Sequence, residues 1–251
     1  PSALRGAIGA TGSYDLSGAG PLLTTELALE QARFGEQELR LERRAVVLSS
    51  KGFELDLALR SVDAAEALQV RGTVPLSLRD ALDLELESHG DALSFLAAPA
   101  GDALRLTRGT SDLRLMLTGY LDQPQANGFL VIRDGSFTAA DQALKQVNAS
   151  LLFDFNRVEV SQLEATLASG GTISAEGAIG LFIPRDEETP LTIRLTKGTI
   201  RQEIVDLAAD ADVTVRGALS QPVISGQLNL RNGVIQPRSG LLSRLRKGGV
   251  A

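Results

Sequence analysis

The chain contains no cysteine and no tryptophan, a single histidine, and only ten aromatic residues, eight Phe and two Tyr. Without cysteine there is no disulfide, no thiolate nucleophile, no zinc–thiolate site and no iron–sulfur cluster. One imidazole, His89, rules out a metal site built on a pair of histidines. It lies in Ser88-His89-Gly90-Asp91 and reads as a solvated residue of a turn between a strand and a short helix, rather than as a catalytic base. No run approaches 18 uncharged apolar residues, so no spanning helix is expected. The pattern of a signal peptide is missing, and the start at Pro1 leads us to expect a piece of a longer protein. An excess of basic charge is missing as well: 25 Lys+Arg against 31 Asp+Glu gives 25 − 31 = −6. A pI near 5.0 argues against nucleic acid as a partner. HExxH, GxSxG, the phosphate-binding GxxxxGK[ST] and a Rossmann GxGxxG are all lacking, and we expect no enzyme and no cofactor. Gly6-Ala7-Ile8-Gly9-Ala10-Thr11-Gly12 resembles a phosphate loop in glycine content alone and reads as a Gly-rich strand or turn.

What the chain has is leucine, 42 of 251 residues. Leucine at that density usually means helices, but here its spacing is two. Phe53, Leu55, Leu57 and Leu59 alternate with Glu54, Asp56 and Arg60. Leu82, Leu84 and Leu86 alternate with Asp83, Glu85 and Glu87, which read as a solvated face rather than a glycosidase-like carboxylate pair. Leu27 and Leu29, Leu115 and Leu117, Phe153 and Phe155, Ile193 and Leu195, and Val213 and Val215 continue the pattern. Alternate residues of a strand face opposite sides of a sheet, so these segments form sheets with one apolar and one polar face. Gly, Pro, Asn and Asp punctuate the gaps, and short connections imply about fifteen mostly antiparallel strands. A few short helices are expected at 62–68, 91–98, 140–147 and 200–209.

A repeat runs through the second half. Gly119-Tyr120-Leu121-Asp122-Gln123-Pro124 leads through Gly128 to Arg133-Asp134-Gly135. Gly217-Ala218-Leu219-Ser220-Gln221-Pro222 leads through Gly226 to Arg231-Asn232-Gly233, at a constant offset of 98 without gaps. Each copy reads as strand, corner at Gln-Pro, strand, and then a tight Asp-Gly or Asn-Gly turn. The alignment sets Leu130 and Ile132 against Leu228 and Leu230 on the inward face. A repeating β unit predicts an elongated body, one unit over residues 1–238, with 239–251 as a basic tail or linker. On pattern alone the apolar face suits the inside of a closed sandwich as well as an open groove.

At Val70-Arg71-Gly72-Thr73-Val74-Pro75-Leu76, at the two Gly-x-Leu-x-Gln-Pro-x-x-x-Gly copies, and at Gly171–Ile179, the sequence resembles the TamB family of the AsmA-like group, over about Gly9 to Pro237. That resemblance implies an all-β, elongated, mostly antiparallel sheet curled into a taco-like open groove, apolar inside. It implies residence in the periplasm or intermembrane space of a bacterial or plastid-like envelope, with the full-length protein anchored in the inner membrane. The implied partners are phospholipid, an outer-membrane barrel protein of the TamA type, and neighbouring segments of a longer chain. The function it implies is a non-enzymatic conduit for phospholipid in outer-membrane biogenesis; the alternative is a scaffold or chaperone that holds outer-membrane barrel precursors by pairing at a sheet edge. For the conduit, the lining candidates are Leu27, Leu29, Phe53, Leu55, Leu57, Leu59, Leu82, Leu84, Leu86, Leu115, Leu117, Leu130, Ile132, Phe153, Phe155, Ile193, Leu195, Val213, Val215, Leu228 and Leu230.

Overall fold

Period-two alternation with mostly short connections leaves each strand one easy partner, the strand just before it, and the fold is that pairing repeated. The structure, a computed structural model, describes residues 4–15, 22–34, 37–93, 104–139, 142–202 and 205–235. These form fourteen strands in one sheet: β1 (Leu4–Asp15), β2 (Leu22–Phe34), β3 (Gln37–Ser49), β4 (Gly52–Ser61), β5 (Leu68–Pro75), β6 (Ala81–Ser88), β7 (Leu104–Tyr120), β8 (Gln123–Ala139), β9 (Gln142–Phe155), β10 (Arg157–Leu167), β11 (Thr172–Gly180), β12 (Leu191–Gln202), β13 (Val205–Ala218) and β14 (Gln221–Ile235). Spatial order equals chain order, every neighbouring pair is antiparallel, and β1 does not pair with β14. Among the described residues the sheet is a meander, not closed into a barrel, with β1 and β14 at its two edges.

Among the described residues there is no helix, which corrects the expected short helices. Residues 142–147 belong to β9. The helix-like spacing of Leu144 and Val147 comes from a β-bulge at Gln146 (φ 52), where three steps on β9 match two on β8. An extra residue keeps both side chains on one face while breaking the period of two. Residues 200–202 and 205–209 are two strands, with Ile200 opposite Leu207. Residues 62–67 form turns and bends, and 91–93 form a turn. The expected helix over 91–98 lies otherwise outside the described residues.

The two repeat copies have the same register. Gly119 pairs with Pro124 and Tyr120 with Gln123; Gly217 pairs with Pro222 and Ala218 with Gln221. The corners are therefore Leu121-Asp122 and Leu219-Ser220, with each Pro in the outgoing strand rather than at the corner. Asp134-Gly135 and its counterpart Asn232-Gly233 do not turn the chain; both lie within strands, at bulges. Arg133 and Ser136 face Thr110 and Arg108, and Arg231 and Val234 face Ala208 and Asp206, again at an offset of 98. Asp134 takes a positive φ of 49 there, a conformation Asp tolerates, and its N–H donates to Asn148 Oδ1 at 3.1 Å.

Bulges at Gln31, Asp134, Gln146 and Lys197 all carry positive φ, and each bends its strand and steepens the local twist. Glycine adds curvature on the apolar face. Gly72 (φ 127), opposite Leu55 and Leu84, sits so close to β6 that an added Cβ would lie 2.0 Å from the carbonyl oxygen of Asp83. Gly128 (φ 147) has the same relation to the Arg114 carbonyl, also at 2.0 Å. No side chain fits either place.

Candidate functional site

Cross-strand register decides which side chains share a face, and it can be followed across the whole sheet. Leu27 opposes Ala10, and Leu29 opposes Ile8. Thr25 opposes Val46, and Val46 opposes Leu55. Phe53, Leu57 and Leu59 oppose Val74, Val70 and Leu68. Val70 opposes Leu86, and Leu86 opposes Leu115; Leu84 opposes Leu117, and Leu82 opposes Gly119. Leu130 lies between Leu113 and Leu151, and Ile132 between Ser111 and Ala149. Phe153 opposes Gly128 and Val158, while Phe155 opposes Ala126. Ile193 lies between Ala175 and Val213, Leu195 between Ile173 and Ala211, and Val215 between Leu191 and Ile224. Leu228 and Leu230 oppose Ala211 and Ala209. All twenty-one expected residues therefore occupy register positions on one face of one sheet.

That face is only partly dry. Leu55, Leu57, Leu59, Leu84, Leu86, Leu115, Leu117, Leu130, Ile132, Phe153, Ile193, Leu195 and Val213 are half-buried, as is Leu27. Leu82 and Val215 are buried. Phe53, Phe155, Leu228 and Leu230 are exposed, the last two at 59% and 52% on the edge strand β14. In a closed sandwich the facing layer would bury such a row fully. Here the described residues hold no second layer, and the sheet covers part of its own apolar side by curling.

The curl shows in two buried clusters. Ala32, Leu39, Leu68 and Leu113, on β2, β3, β5 and β7, join with Leu93 from the β6–β7 connection. Strands are about 4.8 Å apart, so side chains of β3, β5 and β7 meet only when the face between them is concave. The small residues Ser61 and Ser88 lie in the intervening strands and are 1% exposed. Val158, Ile179 and Val215 form the second cluster, with Leu181 packed against it. There β12 begins only at Leu191, and beyond its end Gly180 of β11 meets Ala218 of β13 directly, in parallel. The 181–190 connection is held down by Asn156. Its Oδ1 accepts from the N–H groups of Phe182 and Ile183 at 2.8 and 2.9 Å, and its Nδ2 donates to the Ile183 carbonyl at 2.8 Å. Arg157 adds bonds to Glu159 at 2.6 Å and Glu187 at 3.1 Å. The bond to Glu159, with that to Glu187, holds the guanidinium pKa above its ordinary value against the cost of burial.

Charge sits on the opposite face. Asp56 pairs with Arg71, Glu85 with Arg114 at 3.4 Å, and Arg194 with Asp212 at 2.8 Å. His89 lies 3.0 Å from Asp112 and 3.4 Å from Glu87, so it joins carboxylates rather than a nucleophile. Arg44 stands apart: the bulge between Leu41 and Arg43 shifts the parity of β3 and sets Arg44 opposite Leu57, on the apolar side. Sequence alternation missed Arg44 for the same reason that it missed Leu39. The bulge hides the common face of the two halves of β3. Leu93 and Leu181 were missed because they belong to connections, where periodicity carries no signal.

Residues 161–248 match the family model of the TamB C-terminal domain. No curated protein and no solved structure matches the chain. The matched stretch begins in β10 and takes in β11 to β14, whereas the sequence resemblance reached back to about Gly9; upstream of it, β1 to β9 continue the same sheet without a break. The match covers about a third of the chain and shows that β11 to β14 and the end of β10 are similar to the C-terminal domain of TamB.

Proposed function

On the premise that residues 161–248 belong to the TamB family, we propose that this chain is a segment of a lipid conduit, carrying phospholipid acyl chains along the concave apolar face of its sheet between the inner and outer membranes. The observation that carries this reading is the run of apolar side chains from β2 to β14 on one face and in register, half-buried over much of its length and exposed on β14. Exposing a sixteen-carbon chain to water costs about 12 kcal/mol, at about 0.8 kcal/mol per methylene. A carrier must therefore offer apolar contact at every step. Leucine, unbranched at Cβ and adaptable, makes a lining suited to many chains rather than to one ligand, for which convergent polar groups would be needed. The headgroup stays in water at the open side. Residues 239–251 lie outside the described residues, and their role as a basic tail or linker remains part of the proposal.

A second reading has its own support. Among the described residues strand β14 has one neighbour, and its residues 221–231 are all exposed, so a second backbone can add to it. This suits a scaffold for outer-membrane barrel precursors. Native mass spectrometry of the chain purified without detergent from a bacterial host separates the readings. The conduit predicts bound phospholipid with mixed acyl chains. A chain that carries polypeptide and no lipid contradicts it and favours the scaffold.

A further inference from the structure

Resting on the lipid reading above, we propose that the turn Gly90–Leu93 is a displaceable occupant of a discrete acyl-chain site, closing the concave face at the level of Ala32, Leu39, Leu68 and Leu113. Much of this face is half-open, yet at this level, as at the cluster of Val158, Ile179 and Val215 beneath Leu181, it is closed: Leu93 is 6% and Ala92 0% exposed, and Leu93 joins the cluster of those four residues. An aliphatic side chain from a connection thus fills the space that an acyl chain would fill a few residues further along the same strands, beside Leu86, Leu115 and Leu130.

Among the described residues the turn is fastened by discrete polar contacts rather than by strand pairing. The Asp91 carboxylate accepts from the N–H of Ala65 at 3.0 and 2.9 Å and from that of Glu66 at 3.0 Å. The Gly90 carbonyl accepts from Ser111 N at 2.6 Å and Ser111 Oγ at 3.3 Å. His89 reaches Asp112 and Glu87. Most of these groups are at the surface, where water can replace each bond at small net cost. Two hydroxyls at the same level, Ser61 Oγ and Ser88 Oγ, are buried without a hydrogen-bond partner. Weak fastening over a well-formed apolar site is the arrangement of a gate whose own leucine competes with ligand, and the affinity of the site for lipid is then set by how often the turn is open.

The absence of cysteine makes the gate testable. A Cβ built on Gly90 lies 3.8 Å from the Glu66 Cβ, within the span of a disulfide. In the double variant Glu66→Cys/Gly90→Cys, phosphatidylethanolamine bearing a diazirine in its acyl chain is offered in vesicles, and labelled residues are mapped by mass spectrometry. With the disulfide formed, labelling at Leu39, Leu68 and Leu113 is lost while labelling at Leu84 and Leu117 persists; dithiothreitol restores it. Asp91→Ala, which frees the turn without adding any cross-link, raises labelling at Leu113 above that of the unaltered chain. Labelling at Leu113 that is the same oxidised, reduced and in Asp91→Ala, with Leu117 labelled throughout, overturns the gate and leaves the conduit intact. No labelling at any of the five leucines in any state overturns both.

Discussion

A Leu117→Asp variant stays folded and stops moving lipid. Leu117 is half-buried between Leu84 and Ala126 on the concave face. Its replacement loses part of one leucine burial, about 1–2 kcal/mol, and the new carboxylate can turn toward the open side and keep its water. The fold, resting on thirteen strand pairings of which only two include Leu117, tolerates that loss. A passing acyl chain is affected far more. Two or three methylenes lifted from the wall to clear a hydrated charge cost about 2 kcal/mol, which slows passage by a factor of about thirty. Transfer between donor and acceptor vesicles therefore falls by more than tenfold, while circular dichroism keeps its β signature. Leu84→Asp, directly across, behaves alike. Unfolding of both variants would mean that this face is closed.

The same substitution at Ile179 gives the opposite outcome. Ile179 is 1% exposed, packed with Val158 and Val215 where β11 and β13 come together and the 181–190 connection folds over them. A carboxylate there has no route to water and no cationic partner in its cluster, and an uncompensated buried charge costs about 3–5 kcal/mol. Against a typical stability of about 5–15 kcal/mol that is a large fraction. At about 2–4 °C per kcal/mol for a chain of this size, the Tm of Ile179→Asp falls by about 6–20 °C. Ile179→Val, which keeps the site apolar, costs about 1 kcal/mol. Equal melting of Ile179→Asp and Leu117→Asp would remove the distinction between a pinned core and an open wall.

The alternation of Leu with charged residues made the strands legible, because a half-wet sheet writes its two faces directly into a period of two. Phe53–Leu59 and Leu82–Leu86 illustrate this: each aliphatic falls on the concave side, and Asp56 and Glu85 fall on the other, paired with arginines. The repeat was legible in its offset of 98, which the register of both copies keeps, but the corner read at Gln-Pro lies just before those residues and the turn read at Asp-Gly or Asn-Gly is a bulge. Illegible were the bulges themselves. Gln31, Gln146 and Lys197 adopt positive φ without glycine, so no residue type announces them. Where they occur they turn a spacing of two into three, and this is why 140–147 read as a helix. The Asp134-Gly135 pair has the residues of a hairpin turn, and only the length of β8 and its partners makes it a bulge instead. The parts that close the face, Leu93 and Leu181, lie in connections whose packing depends on where the sheet's curl brings them, which is a tertiary property with no local signature.

The central claim is that one face of this sheet touches acyl chains and the other does not. Adjacent residues of β4 test it, because Asp56 and Leu57 are neighbours in one strand and face opposite sides of the sheet: Leu57 opposes Val70, and Asp56 opposes Arg71. A benzophenone amino acid placed at Leu57 or at Asp56, irradiated with phospholipid vesicles, should cross-link phospholipid from Leu57 and not from Asp56. Cross-linking from both faces, or from neither, would contradict the account.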